Sequence, residues 1–295
     1  MKQFVVYTVQ TGGYDIVQQP LVVDERFDYI LFSDSIEKKT IGVWQVRPIP
    51  YDNVDLTRAS RYPKMHPHEL LSDYIASLYI DANIQIIKQS IYDRAIECYT
   101  QGVDWAGIAH PIRDCIYDEA YVVYGLDYED NIFRWCHQLR KENYPRNRGL
   151  YENNIIFRTH NKIVEKVNVM WWNLYERYTR RDQLLLFYVF WKIPDIKTAF
   201  FLRRGEHAWN SDAINIFSHH KNIENRKISE SFLEYTRRCC RFGMTEKMVQ
   251  FKEFHYWLYG KNLIVGRLGL FLWGLYVLIV YGIIIKYRVY KREYL

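Results

Sequence analysis

The N-terminal half of the chain is a succession of short apolar, β-branched and aromatic runs, each stopping at polar residues. Phe4 to Val9 leads into Thr11-Gly12-Gly13-Tyr14-Asp15, Tyr29 to Phe32 into Ser33-Asp34, and Trp44 to Arg47 into Pro48 and Pro50. Runs of this length and composition predict strands. Two adjacent glycines after the first predict a tight turn that lets backbone approach a ligand. The run that organises the rest is Tyr74 to Ile80, which ends abruptly at Asp81, with Asn83 two residues on. A buried strand is predicted there. In open α/β sheets, ligands bind in the crevice outside the carboxyl ends of the strands, which is where Asp81 falls.

Between these strands the pattern becomes helical. Asp55 to Tyr62 predicts a short helix carrying Arg58 and Arg61 on one face, broken by Pro63-Lys64-Met65-His66-Pro67-His68. Ile86 to Thr100 predicts a helix and Trp105 to Ala109 a strand, with His110 and Arg113 at the corner that follows. Helices are predicted over Ile116–Tyr124 and Ile132–Asn143. Asn153 to Arg158 then reads as a strand, and Val164–Tyr178 as an amphipathic helix containing Trp171 and Trp172. Leu184 to Trp191, apolar all round, reads as a buried helix headed by Arg181-Asp182-Gln183. The alternation predicts an α/β fold.

Composition narrows the class. At 295 residues the chain can hold one large core or two modest ones, and 49% hydrophobic residues with only 8 prolines argue against disorder. A formal charge of +6 favours anionic partners such as nucleotides, phosphates or acidic lipid. No zinc-finger or RNA-recognition pattern is present, so nucleic acid is not an expected partner. Five cysteines without a C-x-x-C pair, and an N-terminus that runs straight into a strand without a signal-like segment, suggest a reducing compartment.

The C-terminus changes the picture. Leu268 to Ile285 carries no charge, and Lys261, Arg267, Lys286, Arg288, Lys291 and Arg292 flank it. Such a segment predicts attachment to the cytoplasmic face of a membrane, spanning or lying in the interface. A buried helix or a contact between copies of the chain is the alternative. The expected division is a catalytic domain over 1–200, a helical extension over 201–260 and a hydrophobic helix over 261–295.

The candidate chemistry centres on carboxylates. Asp81 and Asn83 either share one hard divalent cation, Mg²⁺ or Mn²⁺, or simply end the strand and form the next turn. Arg58, Arg61 and Lys64 either hold phosphates or form a solvated basic face. Asp182 and Gln183 present a carboxylate and an amide at a helix start, a cap if nothing more.

Taken in order, Tyr7-Thr8, Gly12-Gly13-Tyr14-Asp15, Trp44 to Pro50, Arg58 to Lys64 with His68, Tyr79 to Asn83, His110 with Arg113-Asp114, Gly149-Leu150 with Ile155 to Arg158, and Arg181-Asp182-Gln183 resemble a known family. It is the glycosyltransferase-type domain shared by bacterial capsular-polysaccharide proteins, plant mucilage glycosyltransferases and a plant protein described as an alkaline ceramidase. The resemblance covers residues 1 to about 195. It implies a GT-A-like fold, a Rossmann-like mixed sheet flanked by helices, and transfer of a sugar from a nucleotide-sugar donor to a glycan or lipid-linked acceptor in surface polysaccharide synthesis. It implies donor binding by Tyr7, Thr8, Gly13, Asp34, Arg58, Lys64, Asp81, Asn83, His110 and Arg113. Similarity to family-eight transferases implies catalytic roles for Asp182 and Gln183, and a divalent metal held by Asp81, Asn83 and a late histidine, His219 or His220. Acceptor contacts are expected at His160, Trp171 and Trp172. The ceramidase label leaves a lipid-amide hydrolase as an alternative, without a G-x-S-x-G or HExxH motif to carry it. Asn83, standing where the family's metal motif has an acid, leaves room for an inactive scaffold.

Overall fold

A computed structural model of the chain describes residues 3–52, 55–127, 130–203 and 205–219. Among the described residues the strands are β1 (Phe4–Gln10), β2 (Phe27–Ser33), β3 (Thr40–Ile41), β4 (Trp44–Pro48), β5 (Ala76–Ile80), β6 (Ile84–Ile86), β7 (Trp105–Ala109), β8 (Tyr151–Thr159), β9 (Thr198–Phe200) and β10 (Ile214–Ile216). The helices are α1 (Leu56–Met65), α2 (Pro67–Leu70), α3 (Ser90–Thr100), α4 (Ile116–Asp127), α5 (Asp130–Lys141), α6 (Lys162–Arg177) and α7 (Gln183–Lys192). Two compact units result. One takes in residues to Arg113 and resumes at Gly149; the other contains Asp114–Arg148, with α4 and α5.

In the first unit, eight strands form one mixed sheet in the order β3-β4-β2-β1-β5-β8-β7-β9. β1, β2, β4 and β5 run parallel, whereas β8 is antiparallel to both β5 and β7. β1, β2 and β5 are buried on both faces, so they read as continuous apolar runs rather than alternating ones. The chain builds outward from β1 through β2 to β4, then returns to place β5 on β1's other side. The strand order therefore reverses between β1 and β5, and the crevice beyond their carboxyl ends is the topological switch point of this sheet.

The two faces carry different cores. Val6, Leu31, Leu78, Ile80 and Phe157 form one, packed with Ile91, Tyr92, Ala95 and Cys98 of α3. On the other lie Tyr7, Tyr79, Trp105 and Arg158, against α1, α6 and α7: Trp105 meets Trp171 and Phe190 edge-on, and Arg158 donates to Asn168 Oδ1 at 2.9 Å.

Several elements differ from expectation. α1 continues through Pro63 to Met65 instead of ending at Tyr62, with Asp55 as its N-cap accepting from the amides of Thr57 and Arg58. The start of the expected Ile86–Thr100 helix is instead β6, which pairs antiparallel with β10. Residues 205–219, expected in a helical extension, contain that strand and hydrogen-bonded turns, and they pack within the first unit. The expected C-terminal hydrophobic helix lies outside the described residues. Among the described residues, no helix is long and apolar enough to cross a membrane.

Candidate active site

α1 delivers Lys64 to the carboxyl end of β5. Its backbone is fixed first: the Lys64 carbonyl accepts from the Arg158 guanidinium at 2.7 Å and from the Tyr7 hydroxyl at 3.2 Å. Arg158 also donates to the Tyr7 oxygen. This cluster is fully buried. Burial lowers the Arg158 pKa, partly opposed by Tyr7 and Tyr79, and burial pushes the Tyr7 hydroxyl up to about 12 despite Arg158. Both residues donate hydrogen bonds to the lysine's main chain.

With its backbone fixed, the Lys64 ammonium crosses the Tyr79 ring at 4.8 Å and sits 2.7 Å from Asp182 Oδ2 and 3.9 Å from Asp81 Oδ1. It is 3% exposed and its partner Asp182 8%, so the pair is desolvated and each charge depends on the other. Arg61 Nε lies 3.7 Å from the same Asp182 oxygen. Burial would raise the Asp182 pKa, but Lys64 and Arg61 outweigh it and hold the carboxyl below its ordinary value. Burial lowers the Lys64 pKa, and Asp182 and Asp81 oppose that. Asp182 caps α7 by accepting from the Gln183 amide at 3.1 Å, and its carbonyl accepts the Trp171 indole N–H at 3.0 Å. Gln183 begins α7, half-buried.

Asp81 is more open, with a third of its side chain exposed. The Tyr79 hydroxyl donates to its Oδ1 at 2.6 Å, a contact that follows because alternate strand residues share a side. Its amide donates to the Asn154 carbonyl. Asn83 is buried; its carboxamide donates to the Phe217 carbonyl at 2.7 Å, and its own carbonyl accepts the Phe217 amide. Those bonds bring β10 and His219 to the Asp81–Asn83 turn. His219 Nδ1 lies 2.7 Å from Asp15 Oδ1, with the Tyr14 ring centroid 5.0 Å away. Burial raises the Asp15 carboxyl above its ordinary value, His219 opposes this, and the charge of Asp81 adds to it.

The remaining expected residues fall into distinct places. Gly13 has φ +61°, and the Gly12 amide donates to both Asp34 oxygens at 2.9 and 3.0 Å, so Asp34 closes the loop after β1. Thr8 is buried beneath that loop. Arg58 pairs with Asp55 at 3.5 Å and donates to the Glu176 carbonyl. His110 Nδ1 accepts from the Arg113 amide at 3.0 Å, a local turn beyond β7. Lys64 is no solvated phosphate clamp, because two carboxylates already face it. Trp171 is fully buried in the core, and Trp172 packs among Tyr51, Tyr62, His66 and Tyr175. Neither presents a face to a sugar. His160 bridges the Leu71 carbonyl and the Ser77 hydroxyl, and burial lowers its pKa to about 4.

Among the described residues no three His, Cys, Asp or Glu side chains converge as metal ligands. Asp81 alone, half-open and oxygen-only, fits an Mg²⁺-type ion that arrives bound to diphosphate, since such ions are commonly held by one or two carboxylates plus substrate phosphates.

A family model for the TOD1/MUCI70, glycosyltransferase-like domain matches residues 3–219. A search of curated proteins finds no match. Among solved structures, the apo form of the bifunctional glycosyltransferase WbbM aligns at 11% identity with a TM-score of 0.36, over 68% of this chain. The aligned part spans 38% of that protein's length, and so slight a likeness carries no argument.

Proposed function

The chain belongs to the family of the TOD1/MUCI70 glycosyltransferase-like domain, and from that premise we propose that it transfers a sugar from a nucleotide-sugar donor to a glycan or lipid-linked acceptor on a GT-A-like scaffold. The observation that carries the reading is Lys64, whose ammonium joins Asp182 at 2.7 Å and Asp81 at 3.9 Å. One cation gathers the acid at the end of β5 and the acid at the head of α7 at one place beside the switch-point crevice.

In such a reaction the bond from the sugar's anomeric carbon to the diphosphate breaks, and its electron pair stays on the diphosphate oxygen. The acceptor hydroxyl oxygen bonds to that carbon and gives up its proton. The protein must stabilise negative charge at the leaving group and positive character at the sugar. Arg61 is the half-buried cation nearest this centre and faces the first task. Asp182, kept ionised by Lys64 and Arg61, faces the second, with Gln183 orienting the sugar. A divalent ion held at Asp81 would add charge neutralisation at the diphosphate. Asp34 and the Gly12-Gly13 turn lie where a nucleoside would rest, at the end of β1.

The charge-free segment Leu268 to Ile285 with its basic flanks is read as attachment to the cytoplasmic face of a membrane, which suits a lipid-linked acceptor and surface or capsular polysaccharide synthesis. The reading is tested by thermal melting of the full chain with a panel of nucleotide sugars, with and without Mn²⁺. It predicts that one donor raises the melting temperature and that Asp81→Ala abolishes the rise; a panel that leaves melting unchanged contradicts it.

A further inference from the structure

Trp209 is the most exposed aromatic side chain among the described residues, at 66%. A single exposed apolar residue ordinarily needs no explanation. This one is presented by a loop with little freedom. The His207 amide donates to Asn210 Oδ1 at 2.6 Å, the Ser211 hydroxyl to Glu206 at 2.6 Å, and the Ser211 amide to the His207 carbonyl at 3.0 Å. His207 Nδ1 lies 3.0 Å from the Ala109 carbonyl at the end of β7, and the two rings lie 19° from parallel. The neighbouring Ala208 amide donates to Glu152 of β8 at 3.4 Å.

A second, independent observation lies at the same end of β8. Asn153 is 1% exposed, has φ +44°, and neither polar atom of its carboxamide has a partner; the Asn154 side-chain oxygen also lacks one. A buried carboxamide without partners is costly unless a ligand pairs with it. Glu152 beside it is half-buried, and burial raises its pKa, with Asp81 contributing. An exposed flat ring one residue from the amide that donates to Glu152, together with that carboxylate and the unpaired carboxamides that follow it in β8, offers the chemistry that recognises a pyranose, whose C–H face stacks on an aromatic and whose hydroxyls need both donors and acceptors.

We infer that the rim formed by Trp209 and Glu152, with the unpaired carboxamide of buried Asn153 next to Glu152 in β8, is a saccharide subsite that holds the acceptor glycan. Calling the sugar an acceptor rests on the glycosyl-transfer reading. The sheet order supports it: the switch-point crevice lies at β1 and β5, whereas this rim stands at β8 and β7, on the far side of β5. Trp209 thereby replaces the buried Trp171 and Trp172 as the sugar-stacking residue.

The experiment applies the full chain, and its Trp209→Ala, Trp209→Phe and Glu152→Gln variants, to an array of defined oligosaccharides. The best-bound oligosaccharide is then titrated into 5-fluorotryptophan-labelled protein, followed by ¹⁹F NMR. Trp209→Ala should weaken binding on the order of tenfold or more, within the range seen for exposed aromatic contacts. Trp209→Phe should restore part of it, Glu152→Gln should weaken it, and the resonance absent from the Trp209→Phe spectrum should be the one that shifts. Because Trp209 is exposed, both substitutions should leave the melting temperature near wild type. Wild-type protein that binds no oligosaccharide, or Trp209→Ala protein that binds as wild type does, overturns the inference. Saccharide binding through Trp209 without any nucleotide-sugar binding would leave the subsite standing and defeat the transferase reading instead.

Discussion

The Lys64 ammonium lies 2.7 Å from Asp182 Oδ2 with both groups desolvated, so neither charge is stable without the other. Lys64→Met would leave Asp182 in a buried site with Arg61, at 3.7 Å, and a weaker contribution from Arg181 to balance it. Breaking a buried pair from one side costs about 3–5 kcal/mol, which denaturant titration would register. Lys64→Arg keeps the charge but changes its shape, so it should fold and lose turnover. Wild-type stability in Lys64→Met would mean that the pair is not formed.

Asp81 is held by the Tyr79 hydroxyl at 2.6 Å. Tyr79→Phe removes that donor while preserving the ring under Lys64. A hydrogen bond to a charged group contributes roughly 1.5–3 kcal/mol, so donor affinity should fall by about tenfold or more, read from the concentration dependence of donor-induced thermal stabilisation. Unchanged affinity would show that the orientation of Asp81 is immaterial.

Asp182 and Gln183 separate binding from turnover. If Asp182 acts on charge that develops at the sugar, Asp182→Asn should lower kcat by on the order of a hundredfold with donor KM little changed. Gln183→Ala should follow with a smaller loss. Steady-state kinetics showing only a raised donor KM, with normal kcat, would contradict these roles.

His160 gives the fold an acid-sensitive joint. Its ring is held neutral by burial, and its pKa is lowered from 6.5 to about 4. Between those values the unfolded chain binds the proton and the folded chain does not, so stability falls as pH falls through that window. The slope from this one group is about 1.4 kcal/mol per pH unit at most. His160→Gln should flatten the dependence between pH 6.5 and 4, measured by urea titration at several pH values. An unaltered slope would assign acid sensitivity elsewhere.

The parts of the fold legible in the sequence are those where a local pattern decides. β1, β2 and β5 show as largely apolar runs because both faces are buried, and the acid ending β5 marks the switch point by position alone. β6 and β10 are three residues each and owe their strand conformation to each other across a long separation, which no local period records. Pro63 reads as a helix breaker, yet α1 continues through it, anchored at Lys64 by Tyr7 and Arg158.

The site was legible as residue types and not as partnerships. Asp81, Lys64 and Asp182 stand out as polar residues beside apolar elements, but only the fold brings them to one point. Arg158 carries a signal of its own: a charge that directly follows the apolar run Ile155 to Phe157 within a buried strand must be paired. Glu152 lies near the start of the interior strand β8 and Trp209 in a turn before β10, with no pattern to announce them. Trp171 and Trp172 drew notice as a pair, and their helical period equally describes the core they occupy.

Nucleoside-diphosphate release by the purified full chain from each member of a nucleotide-sugar panel, for wild type, Asp81→Ala and Asp182→Asn, bears most directly on the joined centre. Wild type should consume one donor. Asp81→Ala should lose both consumption and donor-induced stabilisation, while Asp182→Asn should keep the stabilisation and lose most of the turnover. Turnover that survives at wild-type rate in both variants, or a panel from which no donor is consumed, would contradict the account.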